Sequence, residues 1–434
     1  MKKTKVLSIL GCTGSIGTQT LQLVDLDPSL RVAALAAHSN TELLYEQILK
    51  YRPELVCVYR EDKAEELRRR LSENTGASGD GVFAAGGAPK DADLSAPRAP
   101  KQQEKSASCE RAGGAELAGG AASCRVVSGM DGLIEAATFA AADTVVVSVV
   151  GMIGIRPTIA AIRAGKKIAL ANKETLVCAG HIIMPLVKAC GVDLTPVDSE
   201  HSAIWQCLAG EPHEAVEKLL LTASGGPFRG FKREQLEHIR PEDALRHPNW
   251  SMGAKITIDS STMINKALEV MEAHWLFGVP VEDIEIVIQP QSIIHSMVQF
   301  RDGAVKAQLG VPSMLIPIEY ALYAPDRIAL PPEEKLDFSK LTQLTFSVPD
   351  LDVFRGLALG IEAGKRGGSL PTVFNAANEE AVAAFLAGKI RYLDIPAGIE
   401  AAMRAHTVIE EPDVEEILAA EREARAFVRE KFAL

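Results

Sequence analysis

The chain has 434 residues, 47% apolar and 24% charged, enough for a sizeable core and for two to four domains of the usual ~100–200 residues. Asp and Glu number 57 against 46 Lys and Arg; the formal net charge of −11 argues against a general nucleic-acid surface and leaves any phosphate site local. Seven cysteines without paired spacing fit reduced thiols in a cytoplasmic setting, and no apolar run approaches the ~18 residues of a membrane span.

Val6–Leu10 reads as a short buried strand, an apolar run shorter than the ~7–15 residues of a signal core. Gly11-Cys12-Thr13-Gly14-Ser15-Ile16-Gly17 follows at once, and then a helix over 18–24. Strand, glycine turn and helix in that order are the setting of a dinucleotide site: glycines let the backbone approach a pyrophosphate, and the helix start offers free N–H groups. The spacing is G-x-x-G-x-x-G, which also suits a plain turn packing helix on sheet. A second strand, Arg31–Ala37, ends in His38-Ser39-Asn40, with no acidic residue for a ribose 2′-hydroxyl. Hydroxyl, amide and imidazole can receive a 2′-phosphate instead, which favours NADPH over NADH. Helix Thr41–Leu49, strand Leu55–Val58 and helix Asp62–Leu71 continue the alternation. Residues 76–123 then dissolve into Ala, Gly, Ser, Pro and Lys without period, a composition that cannot offset its ordering entropy. A disordered insertion without assigned function is expected there.

Order resumes with strand Arg125–Ser128, helix Gly132–Ala141 and strand Thr144–Val149. Gly151-Met152-Ile153-Gly154 is a tight turn suited to lie beside a nicotinamide. After helix Arg156–Ala164 and strand Lys167–Ala171, Asn172-Lys173-Glu174-Thr175 falls at a strand's carboxyl end, so Lys173 is a candidate for touching substrate. Val192 and Leu194 lead into Thr195-Pro196-Val197-Asp198-Ser199-Glu200-His201, read as the end of a strand. Strand alternation places Asp198 and Glu200 on one face with Ser199 opposite. Carboxylates that close repel, and a hard cation such as Mg²⁺ relieves them while leaving positions for substrate oxygens. The pair alone also fits a solvated strand tip; later segments support a site.

Helix Ser202–Leu208 and strand Lys218–Thr222 precede Ala223-Ser224-Gly225-Gly226, the makings of an anion nest. His247-Pro248-Asn249-Trp250-Ser251-Met252-Gly253 combines apolar bulk with a glycine hinge, as a lid requires. In Asp259–Glu272, Ser260 is expected near a helix start, where it forms a phosphate pocket with Asn265 and Lys266. Glu269, four residues after Asn265 on the same face, can supply a third oxygen ligand. Strands Asp283–Ile288, Met297–Phe300 and Val305–Leu309, with an Asp302-Gly303 turn, are expected to complete an antiparallel-type sheet. Helix Pro312–Ala324 and a Pro-containing connection lead to helices Val353–Ala363, Leu370–Leu386, Asp394–Ala405 and Val414–Phe432, a small bundle.

Segments Gly11–Gly17, Ala171–Val177, Pro196–His201, Thr222–Arg229, His247–Gly253, Asp259–Glu269 and Pro290–Met297 together resemble the 1-deoxy-D-xylulose 5-phosphate reductoisomerase family. The resemblance runs from residue 4 to beyond 400, omitting 76–123. It implies an α/β protein with a Rossmann-like NADPH domain (1–194), an α+β catalytic domain (195–330, lid 247–253), a linker (331–350) and a C-terminal helical bundle (351–434). It implies Mg²⁺ or Mn²⁺ on Asp198, Glu200 and Glu269, with Lys173 completing the catalytic set. Substrate contacts are expected from Lys173, Ser199, Ser224, His247, Trp250, Ser260, Asn265, Lys266 and Glu269, with Met252 in the closing loop. Gly11, Thr13, Gly14, Ser15, Ile16, Ser39, Asn40, Asn172, Glu174 and Gly253 are expected on NADPH. The implied reaction takes a small phosphorylated sugar, 1-deoxy-D-xylulose 5-phosphate, to 2-C-methyl-D-erythritol 4-phosphate in a cytoplasmic homodimer, with no nucleic acid or membrane involved. Retro-aldol and 1,2-shift routes both stay open. The chain departs from the family at Cys12 (commonly Ser), at His38-Ser39 (commonly Gly, then Lys, Arg or Ser) and at Gln289 (commonly His). Two rivals remain: an NADPH dehydrogenase without rearrangement, needing no metal, and a non-catalytic NADPH sensor, in which the three carboxylates are dispensable.

Overall fold

The computed structural model describes residues 4–75, 124–246, 248–250 and 252–434. The expected insertion at 76–123 and the lid residue His247 lie outside the described residues. The apolar runs of the first part form parallel strands: β1 (Lys5–Leu10), β2 (Leu30–Ala37), β3 (Leu55–Val58), β4 (Arg125–Ser128), β5 (Thr144–Val147), β6 (Lys167–Leu170) and β7 (Leu194–Pro196). Between them run α1 (Ser15–Leu26), α2 (Thr41–Tyr51), α3 (Glu61–Thr75), α4 (Gly129–Thr138), α5 (Ile155–Arg163) and α6 (Lys173–Cys190). The sheet order is β4-β3-β2-β1-β5-β6-β7, so the chain reverses direction of travel between β1 and β5. Outside the carboxyl ends of two such strands lies the crevice where open parallel sheets bind ligands. The described cysteines are free thiols, most of them buried.

The acidic motif is not a strand tip. β7 stops at Pro196, and α7 (Ser199–Leu208) begins three residues earlier than expected, with Asp198 as its N-cap residue and Glu200 in its first turn. A helix start favours acidic groups because its N–H groups and dipole are positive there. Asp198 and Glu200 therefore approach each other round a helix end, not along one face of a strand.

A second sheet has the order β11-β10-β8-β9, built from β8 (Val216–Ala223), β9 (Ile284–Ile288), β10 (Ile294–Phe300) and β11 (Val305–Leu309). β10 is antiparallel to β8 and β11, but β8 and β9 are parallel, so the sheet is mixed where an antiparallel one was expected. The short α8 (Pro241–Ala244) precedes α9 (Ala254–Ser261) and α10 (Ile264–Phe277). Met263 at φ +62° breaks the chain between these two helices. Ser260 consequently sits in the last turn of α9, not at a helix start. α10 lies along α6, where an added Cβ on Gly180 would meet the Trp275 ring at 2.3 Å; only glycine permits this approach. α11 (Leu315–Tyr323) packs Leu315, Ile318 and Leu322 into the core behind β1 and β2. α12 (Arg355–Arg366), α13 (Leu370–Leu386), α14 (Asp394–Ala405) and α15 (Val414–Phe432) form the bundle, and the last three match their expected bounds.

Candidate active site

Three elements distant in sequence deliver one charged cluster. Lys173, the first residue of α6, places its Nζ 2.9 Å from Asp198 Oδ2 and 3.3 Å from Glu269 Oε1, and donates to Asn265 Oδ1 at 2.8 Å. Lys266 on α10 places its Nζ 2.7 Å from Glu200 Oε1 and also bonds Glu269. Carboxylate oxygens of Asp198, Glu200 and Glu269 all lie within 4.8 Å of one another. Burial alone disfavours a charged Lys173, but Asp198, Glu269 and Glu272 outweigh it and hold its pKa well above the ordinary value. Burial likewise opposes Asp198, yet Lys173 and His201 keep it ionised, well below the usual carboxylate range. Glu269 is pushed upward, first by burial and then by Glu200.

His201 closes the back of the cluster. Its Nε2 donates to the Glu269 carbonyl at 2.9 Å, which ties α7 to α10, while Nδ1 lies 3.7 Å from Asp198 and 3.6 Å from Glu272. Burial works against the His201 cation, but Glu272 and Asp198 raise its pKa to about 9; burial pushes Glu272 up to about 8. Four carboxylates thus surround two ammonium groups and one imidazole. Oxygen donors from Asp198, Glu200 and Glu269 at this separation fit a hard divalent cation such as Mg²⁺ or Mn²⁺.

The cofactor cleft is built on a different plan. About 380 Å³ in volume, it opens at the β1/β5 switch point between Gly11, Thr13 and Gly14 on one side and Ser148 to Ile153 on the other. Gly11 has φ +93°, and an added Cβ would stand 2.4 Å from the Ser148 carbonyl oxygen, so no other residue fits the turn. Its N–H and that of Cys12 both donate to the Ala36 carbonyl, at 2.8 and 2.9 Å. Cys12 is fully buried, and its role is that backbone bond. α1 has no side-chain cap, which leaves the N–H groups of its first turn, at Ser15 and Ile16, for an anion. At the β2 end, His38 stacks on Tyr59 with centroids 5.6 Å apart, and its Nδ1 faces the Ser39 hydroxyl at 3.4 Å. The Asn40 oxygen is committed to capping α2 through Leu43 N–H.

Asn172 and Glu174 reach the cleft from behind. The buried Asn172 amide donates to the Val149 and Gly151 carbonyls, both at 3.0 Å, and to Glu174 at 2.7 Å, so the pair braces the turn expected beside the nicotinamide. Gly253, exposed, starts α9. Two residues on, Lys255 is paired with Asp259 at 2.8 Å and Glu174 at 3.6 Å, a buried bridge between the cofactor turn and α9 that was not read from the sequence.

Of the expected phosphate pocket, the Ser224 turn does meet α9, since an added Cβ on Gly226 would lie 2.7 Å from the Ser260 carbonyl oxygen. Asn265 and Lys266 instead point into the carboxylate cluster. Beyond the closing loop's Asn249, which donates to the Pro290 carbonyl and Ser292 hydroxyl, the half-buried Trp250 sets its ring 6.1 Å from His295. Half-buried Met252 follows. Gln289, unexplained from sequence, accepts from the Ile293 and Ile294 N–H groups and so shapes the turn under this loop. His201, Glu272, Lys255, Tyr59 and Ser148 were missed. For Ser148 a signal existed, its place just past β5, opposite the glycine turn.

A parallel sheet with a glycine turn at its switch point, joined to a carboxylate-rich second domain, defines a nicotinamide-dinucleotide oxidoreductase. Family models agree: one for 1-deoxy-D-xylulose 5-phosphate reductoisomerase matches residues 7–85 and 102–180, and models for its C-terminal domains match 194–277 and 309–427. The chain is 52% identical over 418 residues to the 1-deoxy-D-xylulose 5-phosphate reductoisomerase of Lachnospira eligens, covering 96% of this chain and 97% of that one. It is 50% identical over 426 residues to the corresponding protein of Geobacillus kaustophilus, covering 98% and 99%. The reductoisomerase of Zymomonas mobilis, solved in complex with NADPH, superposes with a TM-score of 0.82 at 36% identity, covering 99% of both chains. A DOX-P reductoisomerase solved with NADPH, fosmidomycin and magnesium gives 0.84 at 34% identity, covering 99% of this chain and 98% of that one. This chain belongs to the 1-deoxy-D-xylulose 5-phosphate reductoisomerase family. Among the described residues, no helix is long and apolar enough to cross a membrane.

Proposed function

We infer that the chain converts 1-deoxy-D-xylulose 5-phosphate to 2-C-methyl-D-erythritol 4-phosphate with NADPH and a divalent cation. The observation that carries this is the meeting of Asp198, Glu200 and Glu269 in one buried cluster within the fold of a dinucleotide enzyme. Those three side chains would hold Mg²⁺ or Mn²⁺, and the bound cation supplies Lewis acidity toward the sugar's carbonyl and adjacent hydroxyl. NADPH, held by Gly11, Thr13, Gly14, Ser15 and Ile16 at its pyrophosphate and by Ser39 and Asn40 near its 2′-phosphate, supplies the reducing equivalent. Asn172, Glu174 and Gly253 position its nicotinamide end.

Lys173 and Ser199 orient the substrate's hydroxyl and carbonyl oxygens. The Nζ of Lys173, 2.9 Å from Asp198 Oδ2 and 2.8 Å from Asn265 Oδ1, is placed to donate hydrogen bonds to those oxygens. Ser224, Ser260, Asn265 and Lys266 would receive the phosphate at the edge of the carboxylate cluster that Asn265 and Lys266 face, and binding energy there fixes geometry and draws the loop closed. His247, Trp250 and Met252 cover the substrate and exclude water. We propose division into an NADPH domain (1–194), a catalytic domain (195–330) and a helical bundle (351–434) joined by 331–350. We propose also a cytoplasmic homodimer, for which the edge strand β11 with Val305 and Leu309 exposed offers a pairing surface.

The test is NADPH oxidation with 1-deoxy-D-xylulose 5-phosphate, with and without Mg²⁺. Turnover should appear only with the cation. An equal rate after exhaustive chelation would favour a metal-free dehydrogenase instead.

A further inference from the structure

The dinucleotide cleft has a wall that the first domain does not supply. Besides the glycine turn and residues 148–153, it is lined by Glu379 from α13 and by Glu421 and Arg425 from α15. Among the described residues lining the cleft, Arg425 is the one fixed cation. Its guanidinium is held in place: Nε and Nη2 donate to Glu421 at 3.1 and 3.0 Å, and Nη2 also bonds Glu379. Among the described residues the carboxylate nearest Nη1 is Glu380, at 3.7 Å, beyond hydrogen-bond distance, which leaves its N–H groups able to serve another acceptor. Glu379 in turn lies against the turn after β5, where an added Cβ on Gly151 would come 3.5 Å from both its oxygens.

A dinucleotide brings an anionic diphosphate into this cleft. Backbone N–H groups of the glycine turn bind it as dipoles but do not neutralise it. Glu379 and Glu421 alone would repel it. We propose that Arg425 is a cofactor-binding residue supplied by the C-terminal bundle, donating through Nη1 to the diphosphate of NADPH while masking Glu379 and Glu421. The bundle then completes the cofactor site, and the last helix of the chain takes part in binding at the first turn. This rests on the reading that the cleft takes NADPH.

The experiment is titration of the full chain with NADPH alone, followed by nicotinamide fluorescence. No saturable binding by the wild type would overturn the cofactor reading itself. Given wild-type binding, Arg425→Gln should raise Kd about tenfold or more, the scale of one lost charge-assisted hydrogen bond. Arg429→Gln, whose guanidinium is half-exposed on Glu380, should leave Kd unchanged. Reduced nicotinamide riboside, which lacks the diphosphate, should bind wild type and Arg425→Gln alike. A folded Arg425→Gln chain with Kd within twofold of wild type would reduce Arg425 to a brace of the bundle. Should that variant not fold, Arg425→Lys decides, since it keeps a cation but loses the planar fork. NADPH binding weakened severalfold with reduced nicotinamide riboside bound as by wild type supports the proposal, and NADPH Kd within twofold of wild type overturns it.

Discussion

The cofactor cleft and the carboxylate cluster solve opposite electrostatic problems with opposite materials. The cleft takes an anion and is made largely of backbone, so its specification is a matter of shape: Gly11 must be glycine because Ser148 leaves no room for a side chain. The cluster suits a cation and is made of side chains drawn from α6, α7 and α10, kept compatible in a buried place by Lys173 and Lys266. Shape-built sites are contiguous in sequence. Charge-built sites need counter-charges from afar, because a buried carboxylate without a partner is costly.

This contrast is sharpest under substitutions that strike one site and spare the other. The largest effect is expected from Glu269→Gln, which removes the carboxylate that both lysines share. kcat/KM should fall about a thousandfold, the order of 4 kcal/mol of lost charge stabilisation, while NADPH Kd from fluorescence titration stays unchanged. Wild-type turnover in that variant would take Glu269 out of the cation site. Gly11→Ala is the converse: its methyl collides with Ser148 and sits at an unfavourable φ, so NADPH binding should weaken by about tenfold or more while Mn²⁺ binding persists. Equal loss of both ligands would mean that the two sites are not separable. The smallest change is expected from Asn40→Ala. It removes the α2 cap at a cost of about 1 kcal/mol, read as a slightly lower thermal midpoint. If Asn40 serves the 2′-phosphate as well, the preference for NADPH over NADH narrows in parallel; an unchanged ratio leaves it a cap alone.

What was legible in the sequence follows the same division. The strand–turn–helix at Gly11–Gly17 and the bundle helices Leu370–Leu386, Asp394–Ala405 and Val414–Phe432 rest on local patterns; the bundle helices fold within the expected bounds, and α1 starts at Ser15, three residues before the expected Thr18. The three candidate metal carboxylates are legible from the residues and again from the resemblance, but the reason for their proximity is not. Pro196 ends β7 and the chain turns helical at Ser199, so Asp198 and Glu200 do meet, but round a helix end and not on one face of a strand. Met263 carries a left-handed break between α9 and α10 with no glycine to announce it; Met263 is buried, so packing imposes the conformation. The His201–Glu272 backing, the Lys255 bridge and Arg425 carry no local signal at all. Each is one charge among many on an amphipathic helix until the tertiary fold supplies its partner. Gln289 is similar: its side chain serves two N–H groups four and five residues ahead, a bond that only the finished turn reveals.

The most direct test of the account is the Mn²⁺ stoichiometry of the cofactor-free chain, measured by electron paramagnetic resonance on wild type and Asp198→Asn. One tightly bound ion per wild-type chain, lost in the variant while NADPH still binds, is the predicted result. An ion retained with unchanged affinity in Asp198→Asn would contradict the assignment of this cluster as the cation site.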